Sequence, residues 1–115
     1  MTQLVNNVQL IGRAGLAPEI KTFEKDRKLA RFSLATNEYY YDQKGERQEN
    51  TQWHNLVAWG KTAELVEKLV TKGKELAVSG KLINRSWDDK DGNKKYITEV
   101  EINQLLVFGK AEQSK

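Results

Sequence analysis

The tryptophans have the most evident capacity for chemistry in this chain, because an exposed indole offers a flat face on which another flat group can stack. Trp53 and Trp59 stand six residues apart in "TQWHNLVAWGK", residues 51–61, which is typical of a β-strand. Strict alternation places both indoles on one face of that strand and His54 on the other. Alternation does not say which face points inward, so a core role and a stacking role both stay open for the pair.

The third tryptophan lies near basic side chains in a second strand-like stretch, "KELAVSGKLINRSW", residues 74–87. Alternation places Lys81, Arg85 and Trp87 on one face, opposite the leucine, valine and glycine residues that we expect in the core. Such a basic face can follow a phosphate backbone while a base stacks on the indole. A solvated outer face with one tryptophan at its tip has the same pattern, so both interpretations stay open.

Three consecutive tyrosines, residues 39–41, stand at the mouth of a long polar loop. Rings in succession cannot all lie on one side of a strand, so we expect at least one to face solvent. With Lys44 and Arg47 nearby, that ring is a further candidate platform. Tyrosines that close the end of a barrel would explain the pattern equally well.

Several classes of site are excluded by residue type. The chain has no cysteine, which excludes disulfides, thiolate zinc sites and cysteine nucleophiles. His54 is the only histidine, and its position beside Trp53 favours a packing or interface role over catalysis. The aspartates in "WDDKDGN", residues 87–93, favour a tight turn rather than metal ligation. We therefore predict no enzyme activity, no metal and no cofactor.

Composition indicates one globular domain with a basic balance. The 115 residues are 30% charged and 38% hydrophobic, with a net charge of +3 and a pI near 9.1, which suits a polyanionic partner. The first residues, "MTQLVNNVQL", lack the pattern of a signal peptide, and no apolar run approaches the roughly 20 residues that span a bilayer. We expect a cytoplasmic protein that does not enter membranes.

Hydrophobic periodicity predicts an all-β fold. Strand patterns cover 4–12, 29–40, 51–61, 74–87 and 95–108, with a short extended piece at 19–23. Helical spacing appears in "KTAELVEKLVTKG", residues 61–73, with Thr62 as N-cap and Gly73 as stop signal. Three strands, a helix and two strands fit a five-stranded OB-fold barrel with one short helix between strands 3 and 4. A small α+β sheet fits the same order.

Motifs along nearly the whole chain resemble those of the bacterial single-stranded DNA-binding proteins of the OB-fold type. They stand in the order of that family: "NNVQLIGRAGLAPEIK", "ARFSLATNE", "TQWHNLVAWGKTAE", "TKGKELAVSGKL" and "RSWDDKDGNKKYITEV". The resemblance implies a homotetramer with one OB barrel per subunit. It also implies a protein that coats single strands without sequence preference during DNA replication, recombination and repair.

The resemblance also implies roles for single residues. The positions on which the family stacks bases fall here on Tyr40, Trp53, Trp59 and Trp87. Tyr40 stands where the family often has tryptophan and Trp59 where it often has phenylalanine, and both remain rings. His54 matches a position at the subunit interface. For contacts to phosphates we predict five basic side chains: Arg13, Arg31, Lys61, Lys81 and Arg85.

Residues 1–109 are expected to form the OB domain, and 110–115 a short C-terminal extension. Many family members continue into a flexible tail with an acidic tip that recruits replication and repair proteins, whereas "GKAEQSK" has no such tip. Recruitment through a tail is therefore not predicted. We expect a nucleoid-associated protein that coats single-stranded DNA. An OB-fold adaptor of a replication or conjugation complex is the alternative, and RNA as the ligand also stays open.

Overall fold

The computed structural model describes residues 5–108, which form six strands, one α-helix and a short 3-10 turn. The elements are β1 (Val8–Ala14), β2 (Glu19–Thr22), the 3-10 turn (Glu24–Asp26), β3 (Lys28–Tyr41), β4 (Arg47–Trp59), α1 (Gly60–Leu69), β5 (Glu75–Asp88) and β6 (Lys94–Val107). The proposed extension, 110–115, lies outside the described residues. Among residues 5–108, no helix has the length and apolar character that a membrane crossing requires.

Five of the strands close into a barrel. Their order is β1-β5-β6-β4-β3, and β3 returns to β1 through the pairs Arg13↔Ala35 and Ala14↔Leu34. All pairings are antiparallel except that of β4 with β6. At the closure, a Cβ on Gly12 would clash with the carbonyl oxygen of Ala35, so only glycine permits this approach of β1 to β3. The predicted OB-fold barrel is confirmed.

The predicted position of the helix needs one correction. The extended piece at 19–23 forms a strand of its own, β2, which pairs with the first residues of β3. The helix therefore lies between β4 and β5 rather than between the third and fourth strands. It still follows the strand that contains Trp53 and Trp59. The correction therefore changes the numbering of the strands, and the order of the strands in the barrel is unaffected.

Two element boundaries also differ from the sequence predictions. The helix begins at Gly60 with Trp59 in the N-cap position, so Thr62 is not the N-cap. Its buried side chains include Ala63 and Val66. The first strand was predicted over 4–12 and spans Val8–Ala14, since the side-chain amide of Asn6 takes the place of a backbone pair with Leu82 at 2.8 and 3.1 Å.

The core fills the inside of the barrel and one of its ends. Leu34, Leu56 and Leu76 point inward from three strands and are fully buried. Val66 in α1 and Val70 directly after it cover one end, because the helix packs against β3 and β4. Since the even-numbered residues of β4 supply this core, its odd-numbered residues point outward.

Two long hairpins, β3–β4 and β5–β6, end in loops built from the same contacts. Asp42 and Asp89 each accept hydrogen bonds on Oδ1 from the backbone amides two and four residues later, at 2.8 to 2.9 Å. Gly45 and Gly92, three residues after each aspartate, have φ of 80° and 82°, which glycine adopts without strain. The turn prediction for residues 87–93 is therefore confirmed, and the first hairpin repeats it.

Candidate nucleic-acid interface

One outer surface of the barrel brings the three tryptophans together. Trp53 and Trp59 lie on the side of β4 opposite the core residue Leu56. Cross-strand pairs from β4 to β6 and from β6 to β5 continue that side as far as Trp87. We call this surface the tryptophan face; it consists of the odd-numbered residues in 29–41, 47–59, 81–87 and 95–101.

The indoles of this face are exposed rather than buried in the core. Trp53 keeps 62% of its surface exposed, Trp87 47% and Trp59 37%. The strand rise of about 3.3 Å per residue separates Trp53 from Trp59 by roughly 20 Å along β4. The direction that alternation left open is therefore outward, and the rings form an extended row.

Trp59 has neighbours that cover part of its ring. The Phe23 ring lies 6.1 Å away, centroid to centroid, at an interplanar angle of 30°. The Arg27 guanidinium lies 5.1 Å from the Trp59 centroid, within cation–π distance. These contacts hold the indole at the start of α1 and leave it less free area than Trp53.

Trp53 lies against a glycine that sequence reasoning did not identify. A Cβ on Gly15 would stand 3.0 Å from Cζ3 of the Trp53 ring and 2.8 Å from Oγ of Ser33. The Gly15 amide donates to the Ser33 carbonyl at 2.9 Å, which fixes the backbone at this point. Gly15 thus gives Trp53 a flat support; the only signal in the sequence is the second glycine of "GRAG".

The register separates the three tyrosines. Tyr40 pairs with Gln48 on the side of the hairpin that carries His54, whereas Tyr39 and Tyr41 belong to the tryptophan face. All three rings are exposed, because the described pairings of this arm are those between β3 and β4 alone. The Arg47 guanidinium lies 4.0 Å from the Tyr39 centroid, a close cation–π contact. The structure therefore brings Tyr39, and not Tyr40, into the row that contains Trp53.

The predicted phosphate contacts fall into three groups. Arg13 donates to the Gly73 carbonyl at 3.2 Å and lies 3.8 Å from a Glu75 carboxylate oxygen. The ammonium groups of Lys61, on the first turn of α1, and of Lys81, on the tryptophan face, form no hydrogen bond or ion pair within residues 5–108. These two ammonium groups can meet an anion without first leaving a protein partner.

Arg31 and Arg85, the remaining pair, share one carboxylate. Glu99 on β6 is only 3% exposed, although it belongs to the tryptophan face. Its oxygens accept from Nε and Nη2 of Arg85 at 2.9 and 3.1 Å, and from Nη1 of Arg31 at 2.9 Å. The hydrogen bonds with Glu99 raise the pKa of Arg85 above its ordinary value. Sequence reasoning missed Glu99, because alternation shows only that it faces outward.

His54 lies on the opposite side of β4 from the tryptophans and is half-buried. Its Nε2 is 2.9 Å from Oγ1 of Thr36, so the ring already has a hydroxyl partner. Across the described part of the chain, no three histidine or acidic side chains converge as a metal site requires. The interface role of His54 stays a prediction.

Comparison with known proteins agrees with this arrangement. The model of the single-strand binding protein family matches residues 5–108. The single-stranded DNA-binding protein 1 of Chlorobaculum tepidum is 40% identical over 110 residues, covering 95% of this chain and 68% of that protein. The single-stranded DNA-binding protein 1 of Xylella fastidiosa is 35% identical, covering 96% of this chain and 82% of that protein.

The fold and the sequence also agree with a solved structure. The Plasmodium falciparum SSB in its complex with single-stranded DNA superposes with a TM-score of 0.84 at 33% identity, covering 95% of this chain and 99% of that one. The matching region contains the barrel and the tryptophan face together. The chain therefore belongs to the single-strand binding protein family.

Proposed function

We propose that this chain binds single-stranded DNA without sequence specificity and covers it during DNA replication, recombination and repair. The row of exposed indoles on the tryptophan face is the observation that carries the proposal. Every base has a flat face, so stacking on indoles discriminates little among sequences. The names of the relatives and the single-stranded DNA bound to the Plasmodium protein support the same ligand.

Among the stacking residues, Trp53 has the largest exposed fraction and the flat support of Gly15, so we propose that it contributes most. Trp87 at the tip of β5 and the partly covered Trp59 follow. The resemblance to the family assigns the remaining stacking position to Tyr40. The register supports Tyr39 as a competing candidate, because Tyr39 lies on the side of the arm that contains Trp53.

Phosphate contacts follow from the basic side chains around this row. We propose direct contacts from Lys81 and Lys61, whose ammonium groups have no partner in the described part of the chain. Arg31 and Arg85 contribute from within their pair with Glu99. Arg13 is the weakest candidate, since its guanidinium already contacts Gly73 and Glu75. Binding should then weaken as salt rises, because each neutralised phosphate releases counterions.

We further propose that the chain acts as a homotetramer in the cytoplasm, on nucleoid DNA, without enzymatic activity. Ile11, Leu65 and Leu106 are exposed around an apolar groove of about 830 Å³ on the outside of β1, β5 and β6. Exposed apolar side chains grouped in this way favour contact with another protein surface. A second copy of the chain fits the family, with His54 as a further interface candidate. Replication and repair proteins are additional candidate partners.

The experiment that tests the proposal is a gel shift with labelled oligo(dT) and the variants Trp53→Ala and Trp87→Ala. A strand-coating protein loses DNA affinity in both variants, whereas an adaptor that recruits proteins keeps its partner binding. Tyr96→Ala is the matched control, because Tyr96 is an exposed ring on the opposite side of the β6 arm. Equal loss of affinity in the Tyr96 variant would contradict the assignment of the tryptophan face.

The two tyrosine candidates are separated by Tyr39→Ala and Tyr40→Ala in the same assay. If the strand continues along the tryptophan face, Tyr39→Ala weakens binding and Tyr40→Ala does not. The reverse result would show that the strand crosses to the other side of the β3–β4 arm. Because both rings are exposed, neither substitution should disturb folding.

A further inference from the structure

Glu99 is a buried carboxylate in the middle of the tryptophan face, the surface that we propose binds the strand. Arg31 on β3 lies next to Val57 in the register, and Val57 lies between Trp53 and Trp59 on β4. Arg85 reaches the same carboxylate from β5. The group of Arg31, Glu99 and Arg85, which we call the Arg-Glu-Arg triad, therefore lies on the tryptophan face beside the part of β4 between the two indoles.

The arginines of the triad cannot leave Glu99 freely. Glu99 is 3% exposed, and its carboxylate accepts three hydrogen bonds from charged groups. All three are donated by the guanidinium groups of Arg31 and Arg85. A buried carboxylate without its partners is strongly destabilising, so exchange of Glu99 for a phosphate is unfavourable. A bound strand therefore meets the guanidinium groups while they remain bonded to Glu99.

The triad still presents donors to a strand. Each guanidinium has five N–H groups, and only three of the ten are used on Glu99. The side chains of Arg31 and Arg85 remain 35% and 43% exposed. Two positive charges and one negative charge leave the triad with a net charge of +1. It can hold a phosphate by hydrogen bonds while it neutralises one charge rather than two.

We propose that Glu99 sets the strength and salt dependence of strand binding, by making Arg31 and Arg85 act together as a single positive charge toward one phosphate. This inference rests on the proposed binding of single-stranded DNA. Glu99 is a positioning residue and does not itself contact the strand. Its effect is to limit the electrostatic attraction between the tryptophan face and the strand, so that the bound protein can dissociate or move along the strand.

The direct test replaces the carboxylate by the isosteric amide, Glu99→Gln, and measures oligo(dT) affinity by fluorescence anisotropy between 50 mM and 1 M NaCl. Releasing one positive charge should steepen the slope of log K against log salt by about 0.7, the increment per phosphate on single strands. If binding of the two proteins converges near 1 M, the variant binds about eightfold more tightly at 50 mM. A slope equal to or shallower than that of the natural protein overturns the proposal.

A charge-balanced variant keeps the test decisive if Glu99→Gln alone fails to fold. Arg85→Gln with Glu99→Gln removes one positive and one negative charge, and leaves Arg31 facing two neutral amides. The proposal predicts an unchanged salt slope, because the site keeps its net charge of +1. If Arg31 and Arg85 each neutralise a phosphate in the natural protein, the slope becomes shallower by about 0.7 instead.

Lys81→Gln calibrates the measurement, because Lys81 lies on the same face without a partner in the described residues and should reduce the slope by about 0.7. Urea unfolding of each variant checks that the barrel is intact. A purely structural role of Glu99 would change the urea midpoint and leave the salt slope unchanged, which contradicts the inference. If the natural protein fails to bind oligo(dT) at 50 mM salt, the proposed function itself fails.

Discussion

Replacing Trp53 by alanine tests the stacking role at the position where the structure offers the most ring area. Trp53 is 62% exposed and Gly15 supports its ring from below, so a base can cover the free side. Base–aromatic stacking is worth about 1–3 kcal/mol per base, which corresponds to an affinity loss of roughly 5- to 150-fold. The exposed fraction of Trp59 is 37%, so if stacking scales with free ring area we expect about 0.6 of that free energy from Trp59→Ala.

Loss of folding must be separated from loss of stacking. The covered 38% of Trp53, the remainder from 62% exposure, amounts to about 75 Å² and contributes roughly 2 kcal/mol to stability. Trp53→Phe is the matched control, because it keeps a ring over Gly15 and should lose much less affinity than Trp53→Ala. Anisotropy of labelled oligo(dT) gives the affinity and urea unfolding gives the stability. A folded Trp53→Ala variant that binds within twofold of the natural protein would refute the stacking role of Trp53.

Three further predictions concern the support of Trp53, the first hairpin loop and the apolar groove. Gly15→Ala should weaken oligo(dT) binding, measured by anisotropy, by about 2- to 5-fold, because a methyl group 3.0 Å from the Trp53 ring forces the indole to move. Unchanged affinity in a folded variant would contradict the claim that Gly15 supports the Trp53 ring. The pKa of Asp42 is lowered, chiefly by the backbone amide of Glu46. The ionised carboxylate therefore stabilises the fold at pH values above the ordinary pKa, and this stabilisation is lost as pH falls through the lowered pKa. The urea midpoint of Asp42→Asn should therefore lie below that of the natural protein at pH 7, and the gap should close as pH falls below the ordinary pKa of an aspartate. A gap independent of pH would contradict this. Ile11→Lys should reduce the mass measured by light scattering toward the 13.2 kDa of one chain, because it places a charge in the exposed apolar groove; an unchanged mass would exclude this groove as the subunit interface.

Alternation along the chain predicted which side chains share a face and could not predict where that face points. Trp53 and Trp59 have the same parity in the sequence, and the structure places both on one side of β4. The outward direction depends on the even-numbered side, where Leu56 and Ala58 meet the core from other strands. That packing involves residues distant in sequence, which a single strand pattern does not contain.

The helix and the short second strand show the limits of local signals. Thr62 has the residue type of an N-cap, yet the helix begins at Gly60, whose φ of 61° turns the chain directly out of β4. The residues of β2 form a strand only because the start of β3 offers them a free edge. Boundaries of this kind depend on tertiary contacts rather than on residue type.

The sequence predicts the aromatic rings of the interface but not the residues that support them. Gly15 and Glu99 act through neighbours that only the closed barrel brings close: Gly15 meets Trp53 from the β1–β2 connection, and Glu99 meets arginines on two other strands. Tyr40 was assigned by resemblance, while the strand register supports Tyr39. These cases share one cause, because cross-strand register cannot be read from one strand at a time.

Titration of the natural protein with oligo(dT) of graded length at low salt, followed by intrinsic tryptophan fluorescence, tests the central claim most directly. All three indoles lie exposed on the tryptophan face, so stacked bases should quench the fluorescence strongly, and added salt should restore it as the strand dissociates. The length at which quenching saturates gives the site size. Binding without quenching would contradict the claim that bases stack on Trp53, Trp59 and Trp87, and absence of any binding at low salt would contradict the proposed function.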